Sequence, residues 1–324
     1  MGFSGAGFVL HATFSGLLIG FILLINVQAQ ARQEAQIAFY SNRGVGYGIY
    51  VMDADGMNVR CLTGNLPGDH YYPSWSPDGR EIAFLSYWRV SGDIYVIDAD
   101  GENPRNLTNH PACDVQPSWS PDGREIAFIS DREGNFDIYV MDADGRNVRE
   151  LTDHPERDTD PAWSPDGREI AFVSEREGKE DIYMMDPNGK NIRNLTNHPA
   201  YDGQPAWSPD SSKIVFASSR DGNAEIYVMD ADGRDVRRLT DHPSSDGDPA
   251  WSPDGGKIAF VSHRDENMEI YIMDADGENV HRLTYNDHTF DRGPVWFDPA
   301  YSVLSTGKHM TMWGWLKQTT AERR

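Results

Sequence analysis

Cysteine and positive charge are both scarce in this sequence. Two cysteines, Cys61 and Cys113, among 324 residues exclude a disulfide scaffold and a cysteine-based zinc module, and we expect two free thiols. Lysine and arginine number 29 against 51 aspartates and glutamates, so the formal charge is −22. A nucleic-acid-binding face, or a face for anionic membranes, would need the opposite balance. Hydrophobic residues, at 39%, are numerous enough for a packed core.

Charge is absent from the amino terminus, where the first ionised side chain is Arg32. Residues 14–27 (FSGLLIGFILLINV) form an apolar run that is short for a transmembrane helix and ends in small residues. Residues 1–31 are therefore predicted to be an export signal cleaved near Ala29 or Ala31, although no basic residue precedes the run. An uncleaved anchor is the alternative. The signal predicts a periplasmic or secreted protein without stable membrane insertion after cleavage.

Helical periodicity is also lacking, and a repeat takes its place. The segment PSWSPDGREIAF begins at Pro73 and returns with small changes every 44 residues at Pro117, Pro161, Pro205 and Pro249, and after 45 at Pro294. An Ile-Ala-Phe-like strand, an Ile-Tyr strand and a closing Leu-Thr each occur six times. Repeats of this length indicate a solenoid or a propeller.

Each unit reads as four short strands. The second and third are apolar on both faces, as in strands covered from both sides, and the fourth is charged like a protected edge. The repeat starts in mid-unit: residues 36–41 form a second strand without a first, and residues 294–297 supply an orphan first strand. The sequence thus predicts an all-β, six-bladed propeller of four-stranded antiparallel blades over residues 32–297, closed by that carboxy-terminal strand. Residues 298–324, with Trp313 and Trp315, are predicted to be a tail or clasp.

The unit P-x-W-S-P-D-G-x-x-I-A-F, followed by I-Y-V-M-D-A-D-G, resembles the WD40-like (PD40) repeat of the TolB-like propellers. The resemblance covers about residues 36–297 and concerns the propeller module, since the α/β domain that precedes it in TolB has no counterpart here. It implies a binding protein of the cell envelope. Similar repeats form gating propellers of prolyl-oligopeptidase-type enzymes and an oligogalacturonate lyase, but those catalytic domains do not fit in 27 residues.

Two recurring tetrapeptides, SPDG and DADG, are interpreted as turns. Proline, aspartate and glycine suit tight turns, and neither a general base near the serine nor the spacing of an EF-hand accompanies them. Histidines His110, His154, His198 and His242 occur once per unit, so they should diverge around the ring and serve loop structure rather than bind zinc.

Arginines follow the second strand in five units, at Arg43, Arg132, Arg176, Arg220 and Arg264. An acidic residue five positions later begins the third strand in four of them, so we expect an ion pair that braces the intervening loop. Gly48 replaces the acid in the first unit and Trp88 replaces the arginine in the second. The alternative is that Arg132, Arg176, Arg220 and Arg264 contact a ligand.

A second acidic set precedes the first strand of five units: Asp114, Asp158, Asp202, Asp246 and Asp291. Asp160 and Asp248 lie two residues later. Because the first strand of a blade is innermost, these carboxylates are predicted to ring the channel mouth, either as a solvated acidic rim or as a site for a cation or cationic partner. Calcium is thus possible, but no cofactor and no firm metal site are predicted.

Loop tips that vary between units favour a partner-binding surface at Tyr87, Trp88 and Phe136. Local packing of these aromatic side chains is the alternative. We expect a monomeric, non-catalytic binding or scaffold propeller that recognises a protein or peptide of the cell envelope through its loop-rich acidic rim. The alternatives are a lyase-like enzyme acting on a polysaccharide and a calcium- or carbohydrate-binding module. No asymmetric set of catalytic residues supports an enzyme.

Overall fold

The computed structural model describes residues 35–88, 91–286 and 288–300. The predicted export signal over residues 1–31 and the tail residues Trp313 and Trp315 lie outside the described residues. All regular secondary structure in the described ranges is β-strand. No helix in those ranges is long and apolar enough to span a membrane.

Twenty-four strands follow one another in chain order. The first six are β1 (Gln36–Gly44), β2 (Gly46–Asp53), β3 (Arg60–Cys61), β4 (His70–Trp75), β5 (Glu81–Ser86) and β6 (Asp93–Asp98). The next six are β7 (Arg105–Asn106), β8 (Asp114–Trp119), β9 (Glu125–Ser130), β10 (Asp137–Asp142), β11 (Arg149–Glu150) and β12 (Asp158–Trp163).

The second half of the chain repeats this order. The strands are β13 (Ile170–Ser174), β14 (Asp181–Met185), β15 (Arg193–Asn194), β16 (Asp202–Trp207), β17 (Lys213–Ser218) and β18 (Glu225–Asp230). The last six are β19 (Arg237–Arg238), β20 (Asp246–Trp251), β21 (Lys257–Ser262), β22 (Glu269–Asp274), β23 (His281–Arg282) and β24 (Asp291–Phe297).

These strands form six antiparallel sheets of four, so the predicted six-bladed propeller is confirmed. Blade 1 has the order β24-β1-β2-β3, and blades 2 to 6 each use four consecutive strands, beginning with β4, β8, β12, β16 and β20. In blade 1, Ile37 pairs with Trp296 and Gln36 with Phe297. The carboxy-terminal strand therefore closes the ring as predicted, and it leaves the first strand of the chain paired on both sides.

The core lies between neighbouring blades. The second and third strands are buried on both faces, and one phenylalanine per blade is fully buried, at Phe39, Phe84, Phe128, Phe172, Phe216 and Phe260. Ala171 and Ile182 of blade 4, for example, pack with Trp207 and Phe216 of blade 5. Full burial of a side chain of this size stabilises the fold by about 1.5–3 kcal/mol. The apolar character of both faces is thus explained by packing between blades.

The first strands contact one another in a closed cycle, from β4 through β8, β12, β16, β20 and β24 back to β4, and so surround the central channel. One end of the channel, the turn rim, carries the SPDG and DADG turns. The other end, the loop rim, carries the loops from second to third strand and from fourth strand to the next blade. The expectation of innermost first strands is confirmed, and it places the variable loops at one mouth of the channel.

Candidate functional site

A buried ion pair recurs at the loop-rim end of five blades. Each pair joins the first residue of the innermost strand to an arginine at the loop-rim end of the second strand, in the combinations Asp291–Arg43, Asp114–Arg132, Asp158–Arg176, Asp202–Arg220 and Asp246–Arg264. The shortest nitrogen–oxygen distances lie between 2.5 and 2.9 Å. All five aspartates are at most 1% exposed. The pair Arg43–Asp291 also joins the two ends of the propeller across the closure.

The geometry corrects two predictions about these residues. The five aspartates do not line an exposed acidic rim, because an arginine covers each one. The arginines do not pair with the acid five positions later. Antiparallel register is the reason: Asp202 lies opposite Ser218, and the guanidinium of Arg220, two residues beyond, reaches back across the strands. Whether Arg132, Arg176, Arg220 or Arg264 also contacts a ligand is untested and stays a prediction.

Arg220 shows how each guanidinium is held. Its Nε donates to Ser218 Oγ at 2.9 Å, and its Nη2 lies 2.9 Å from both carboxylate oxygens of Asp202. The group stands over the rings of Phe216 and Tyr227, 5.5 and 4.9 Å from their centres. A carboxylate and two aromatic faces therefore surround the cation, an arrangement that strengthens the attraction when water is excluded.

The acid that begins the third strand has different partners. The hydroxyl of Thr240 donates to Glu225 at 2.6 Å, and the backbone N–H of His242 donates to the same carboxylate at 2.9 Å. His242 Nδ1 accepts the backbone N–H of Ser244 at 3.1 Å. His110, His154 and His198 accept equivalent bonds. The interpretation of these histidines as loop-forming residues is thus confirmed.

Blade 2 replaces the ion pair with uncharged aromatic groups. His70 stands where the other blades have aspartate, is 2% exposed, and meets Phe84 edge to face at 5.4 Å. Burial lowers the pKa of His70, which favours the neutral ring. Trp88 stands where the arginine would be, 6.2 Å from Tyr95, and remains 54% exposed. The loop rim of this blade is therefore apolar where its neighbours carry a guanidinium.

A β-bulge interrupts every innermost strand two residues after the buried position. In blade 4, Thr159 pairs with Val173 and Ala162 with Ala171, so Asp160 and Pro161 together oppose a single residue. Asp160 has φ +51°, a left-handed conformation that is uncommon for residues with a side chain. Bulges of this kind redirect a side chain. The residues at the bulge form the channel belt: Tyr72, Gln116, Asp160, Gln204, Asp248 and Gly293, with Arg292 beside Gly293.

Hydrogen bonds connect the channel belt from blade to blade. The side-chain amide of Gln116 donates to Asp160 Oδ1, and its carbonyl oxygen accepts the backbone N–H of Asp160 at 3.2 Å. Gln204 and Asp248 repeat both bonds, the second at 2.8 Å. The backbone N–H of Gln204 also donates a hydrogen bond to the carboxylate of Asp160, and the backbone N–H of Gly293 donates one to the carboxylate of Asp248. These contacts hold five neighbouring blades in register and fix the side chains.

The carboxylates of the channel belt are electrostatically unusual. Burial raises the pKa of Asp160 to about 6, and the nearby charge of Asp248 adds to the effect. The pKa of Asp248 is also raised by burial, against the opposing influence of Arg292, whose Nε lies 3.6 Å from Asp248 Oδ2. No ion pair of Asp160 is found in the described part of the chain. Shifts of this kind are typical of functional positions.

Aromatic side chains cover the mouth on the side of blades 1 and 2. This aromatic patch consists of Tyr40, Tyr47, Tyr71, Tyr72 and Tyr87, together with Trp88, which follows Tyr87 in the chain and packs against Tyr95. Tyr71 lies 4.9 Å from Tyr47 and 6.0 Å from Tyr87 between ring centres, and Tyr72 lies 5.5 Å from Tyr40. Tyr72, Tyr87 and Trp88 are 39%, 40% and 54% exposed. The mouth is thus aromatic on one side and acidic on the other.

Phe136 differs from the other two predicted aromatic anchors. It is half-buried, packs beside a core cluster that includes Leu85 and Val115, and lies under the guanidinium of Arg157 at 5.2 Å. Tyr87 and Trp88 remain exposed. Phe136 therefore packs locally, which was the alternative to an anchor role, whereas Tyr87 and Trp88 are accessible to a partner. Their binding of a partner stays a prediction.

The recurring serines have a structural role in the turns. Ser76 Oγ donates to Asp78 at 2.8 Å and accepts the backbone N–H of Glu81 at 3.0 Å, which fixes the SPDG turn. Cys61 and Cys113 are free, as expected. Among the residues that the structure describes, no group of three His, Cys, Asp or Glu side chains could hold a metal ion. Calcium binding stays a prediction.

Sequence reasoning missed most of the channel belt. It grouped Asp160 and Asp248 with the buried aspartates and did not single out Tyr72, Gln116, Gln204 or Arg292. A signal was present, because the third residue of the innermost strand varies between units while the proline after it repeats in all six and the aspartate two residues before it repeats in five. Its meaning depends on the bulge, which points that residue into the channel.

Comparison with known proteins agrees with this architecture. The family model for the PD40 TolB β-propeller domain matches residues 28–204 and 193–312. The crystal structure of TolB from Acinetobacter baumannii is 24% identical with a TM-score of 0.71, covering 86% of this chain and 71% of that one. The putative TolB from Agrobacterium tumefaciens is 28% identical with a TM-score of 0.64, covering 78% and 88%.

An enzyme shares the fold at lower identity. Hydrazine synthase from Kuenenia stuttgartiensis is 16% identical with a TM-score of 0.69, covering 82% of this chain and 47% of that one. That likeness concerns the fold alone. No curated protein sequence matches the chain. The matched family model spans nearly all of the described propeller, and the chain belongs to the TolB β-propeller family.

Proposed function

We propose that this protein is a non-catalytic propeller that works outside the cytoplasm and binds a protein or peptide at the channel mouth of its loop rim. The observation that carries the proposal is the joint exposure of Tyr72, Tyr87 and Trp88 in blade 2, next to the channel-belt position that Tyr72 occupies. Tyrosine and tryptophan are the side chains that most often anchor a partner. Rigid blades would present them with little loss of conformational entropy on binding.

The remaining groups support binding rather than catalysis. The repeated aspartates, arginines, serines and histidines are each engaged in bonds that hold a strand or a turn. A catalytic site needs different residues in different roles around one reacting atom. Family membership in the TolB propellers is consistent with a binding role. The alternatives of a polysaccharide lyase and a calcium- or carbohydrate-binding module have no specific contact in their favour.

Export rests on the amino-terminal sequence and on the family. Mass spectrometry of the protein expressed in a bacterial host should show a mature chain that begins near Gln30 or Arg32, recovered from the soluble envelope fraction. Recovery of the intact amino terminus in the membrane fraction would favour the anchor. We also expect the mature propeller to be monomeric, which light scattering measures.

Peptide binding is tested by selection from a random dodecamer library on the immobilised propeller, followed by calorimetry with the tightest peptide. Replacing both Tyr87 and Trp88 with serine should weaken that peptide about ten-fold or more, as expected for two anchor residues. Tyr285→Ser is the matched control, because Tyr285 is 72% exposed on the loop rim of blade 6, away from the aromatic patch. Failure to select any specific peptide, or equal loss in the control, would overturn the proposal.

A further inference from the structure

Negative charge at the channel mouth is incompletely balanced. Asp160, Asp248 and Glu180 approach one another closely enough to affect one another, since Asp248 and Glu180 both raise the pKa of Asp160. Arg292 lies beside Asp248 at 3.6 Å. Within the described ranges, the hydrogen bonds to the carboxylate of Asp160 come from amides, namely the side chain of Gln116 and the backbone of Gln204. The negative charge of Asp160 is therefore not neutralised by an ion pair among the described residues.

Aromatic rings face the same space. Tyr72 extends into the mouth with 39% of its surface exposed, and its pKa is raised by burial and by Asp248 and Asp160. Tyr201 borders Asp160 on the other side, and Asp160 contributes to its raised pKa. The ring of Tyr201 lies so close to Gly203 that a Cβ there would stand 2.3 Å from the phenol oxygen. Glycine at this position therefore keeps the tyrosine at the mouth.

The protein already shows how it holds a guanidinium. In five blades an arginine lies between one carboxylate and two aromatic rings, as Arg220 does between Asp202, Phe216 and Tyr227. Asp160, Tyr72 and Tyr201 offer the same chemical groups at the channel mouth. They differ in one respect, because no arginine among the described residues forms an ion pair with Asp160.

We propose that the peptide bound under the proposed function inserts an arginine or lysine side chain into the channel mouth, with its charge against Asp160 and its stem against Tyr72. The inference rests on that function and names the chemistry of its ligand. The aromatic patch would then hold the apolar residues next to the basic one. A chain with net charge −22 attracts such a segment from a distance as well.

The test uses the peptides selected on the wild-type propeller. Their sequences should be enriched in arginine or lysine, and the tightest should lose about ten-fold or more in affinity when that residue is replaced by its uncharged analogue, citrulline for arginine. Asp160→Asn should cause a similar loss and should make the citrulline replacement neutral. Glu102→Gln on the opposite rim removes the same charge from an exposed site and should leave the affinity unchanged.

The pH dependence of the affinity provides a second measurement on the same complex. Because the pKa of Asp160 is about 6 in the free protein, binding of the basic peptide should weaken as the pH falls from 7 to 5, and the dependence should be lost in Asp160→Asn. Peptides that bind the aromatic patch without any requirement for a basic residue would overturn this inference and leave the proposed function standing. If no peptide binds at all, the proposed function fails and this inference fails with it.

Discussion

Two positions on the innermost strand, two residues apart, follow opposite rules. The first is aspartate in five blades, and every one of those aspartates is buried against an arginine. The third is tyrosine, glutamine, aspartate, glutamine, aspartate and glycine around the ring. The comparison teaches that sameness between repeats marks what holds each blade together, whereas variation at a geometrically fixed position marks what the ring presents to a ligand.

The repeated ion pair should be the most sensitive position of all. Asp202→Ala leaves Arg220 without its carboxylate inside the blade, and we expect the free energy of unfolding to fall by about 3–5 kcal/mol. Arg149→Ala is the control, because the side chains of the pair Arg149–Glu125 are 42% and 31% exposed and the pair should contribute about 0–1 kcal/mol. Denaturant titration measures both. Similar losses in the two variants would contradict the structural role of the buried pair.

Blade 2 offers a natural alternative to that pair, and it can be transferred. Asp202→His and Arg220→Trp together copy His70 and Trp88 into blade 5. We expect the double variant to be about 1–2 kcal/mol more stable than the sum of its single changes, because each single change leaves one buried charge of the ion pair without its partner, whereas the double change removes both charges. Thermal and denaturant unfolding of the four proteins give this coupling. If the changes in unfolding free energy of the two single variants simply add in the double variant, the histidine and tryptophan do not stabilise blade 5 together, and their stability in blade 2 must depend on the loops of that blade.

The fold could be predicted because its evidence is repetitive. The period of 44 residues, the two-sided apolar strands and the orphan strand at Pro294 lead to six closed blades without knowledge of any contact. The partners at the loop rim could not be predicted in the same way. Arg220 and Asp202 are 18 residues apart and meet through antiparallel register, whereas the nearer acid, Glu225, is occupied by Thr240.

The channel belt was hidden for a related reason. Strict alternation would place the first and third residues of a strand on one face, so Asp158 and Asp160 seemed equivalent. The bulge at Asp160 separates them: one is buried under Arg176, and the other points into the channel. The proline that follows the bulge repeats in every unit, but the sequence alone does not show that the residue before it is left-handed.

The channel belt should respond to substitution in the direction opposite to the ion pair. Asp160→Asn removes a carboxyl group whose pKa is raised to about 6, and its amide oxygen can still accept the hydrogen bond from Gln116. The folded protein holds the proton of such a carboxyl group more tightly than the unfolded chain does. Its stability therefore falls as the pH rises from about 4 to 6. The variant should therefore be more stable than the wild type at pH 7.5, by on the order of 1 kcal/mol, and equal to it near pH 3.5. Destabilisation at both pH values would show that the carboxylate is needed for the belt itself.

The smallest expected effect concerns the one blade whose first position is not acidic. Burial lowers the pKa of His70, so the folded protein keeps this ring neutral while the unfolded chain takes up a proton below about pH 6.5. Its contribution is fully present above pH 6.5 and is lost as the pH falls through that value, opposite in sign to that of Asp160. His70→Phe should remove this part of the pH dependence and leave stability at pH 8 nearly unchanged, because Phe84 already packs edge to face against this buried ring. Carbon-13 NMR of labelled histidine measures the titration directly. A His70 signal that titrates at the ordinary value would show that a charged ring is tolerated at this position, and blade 2 would then resemble its neighbours more closely than the structure indicates.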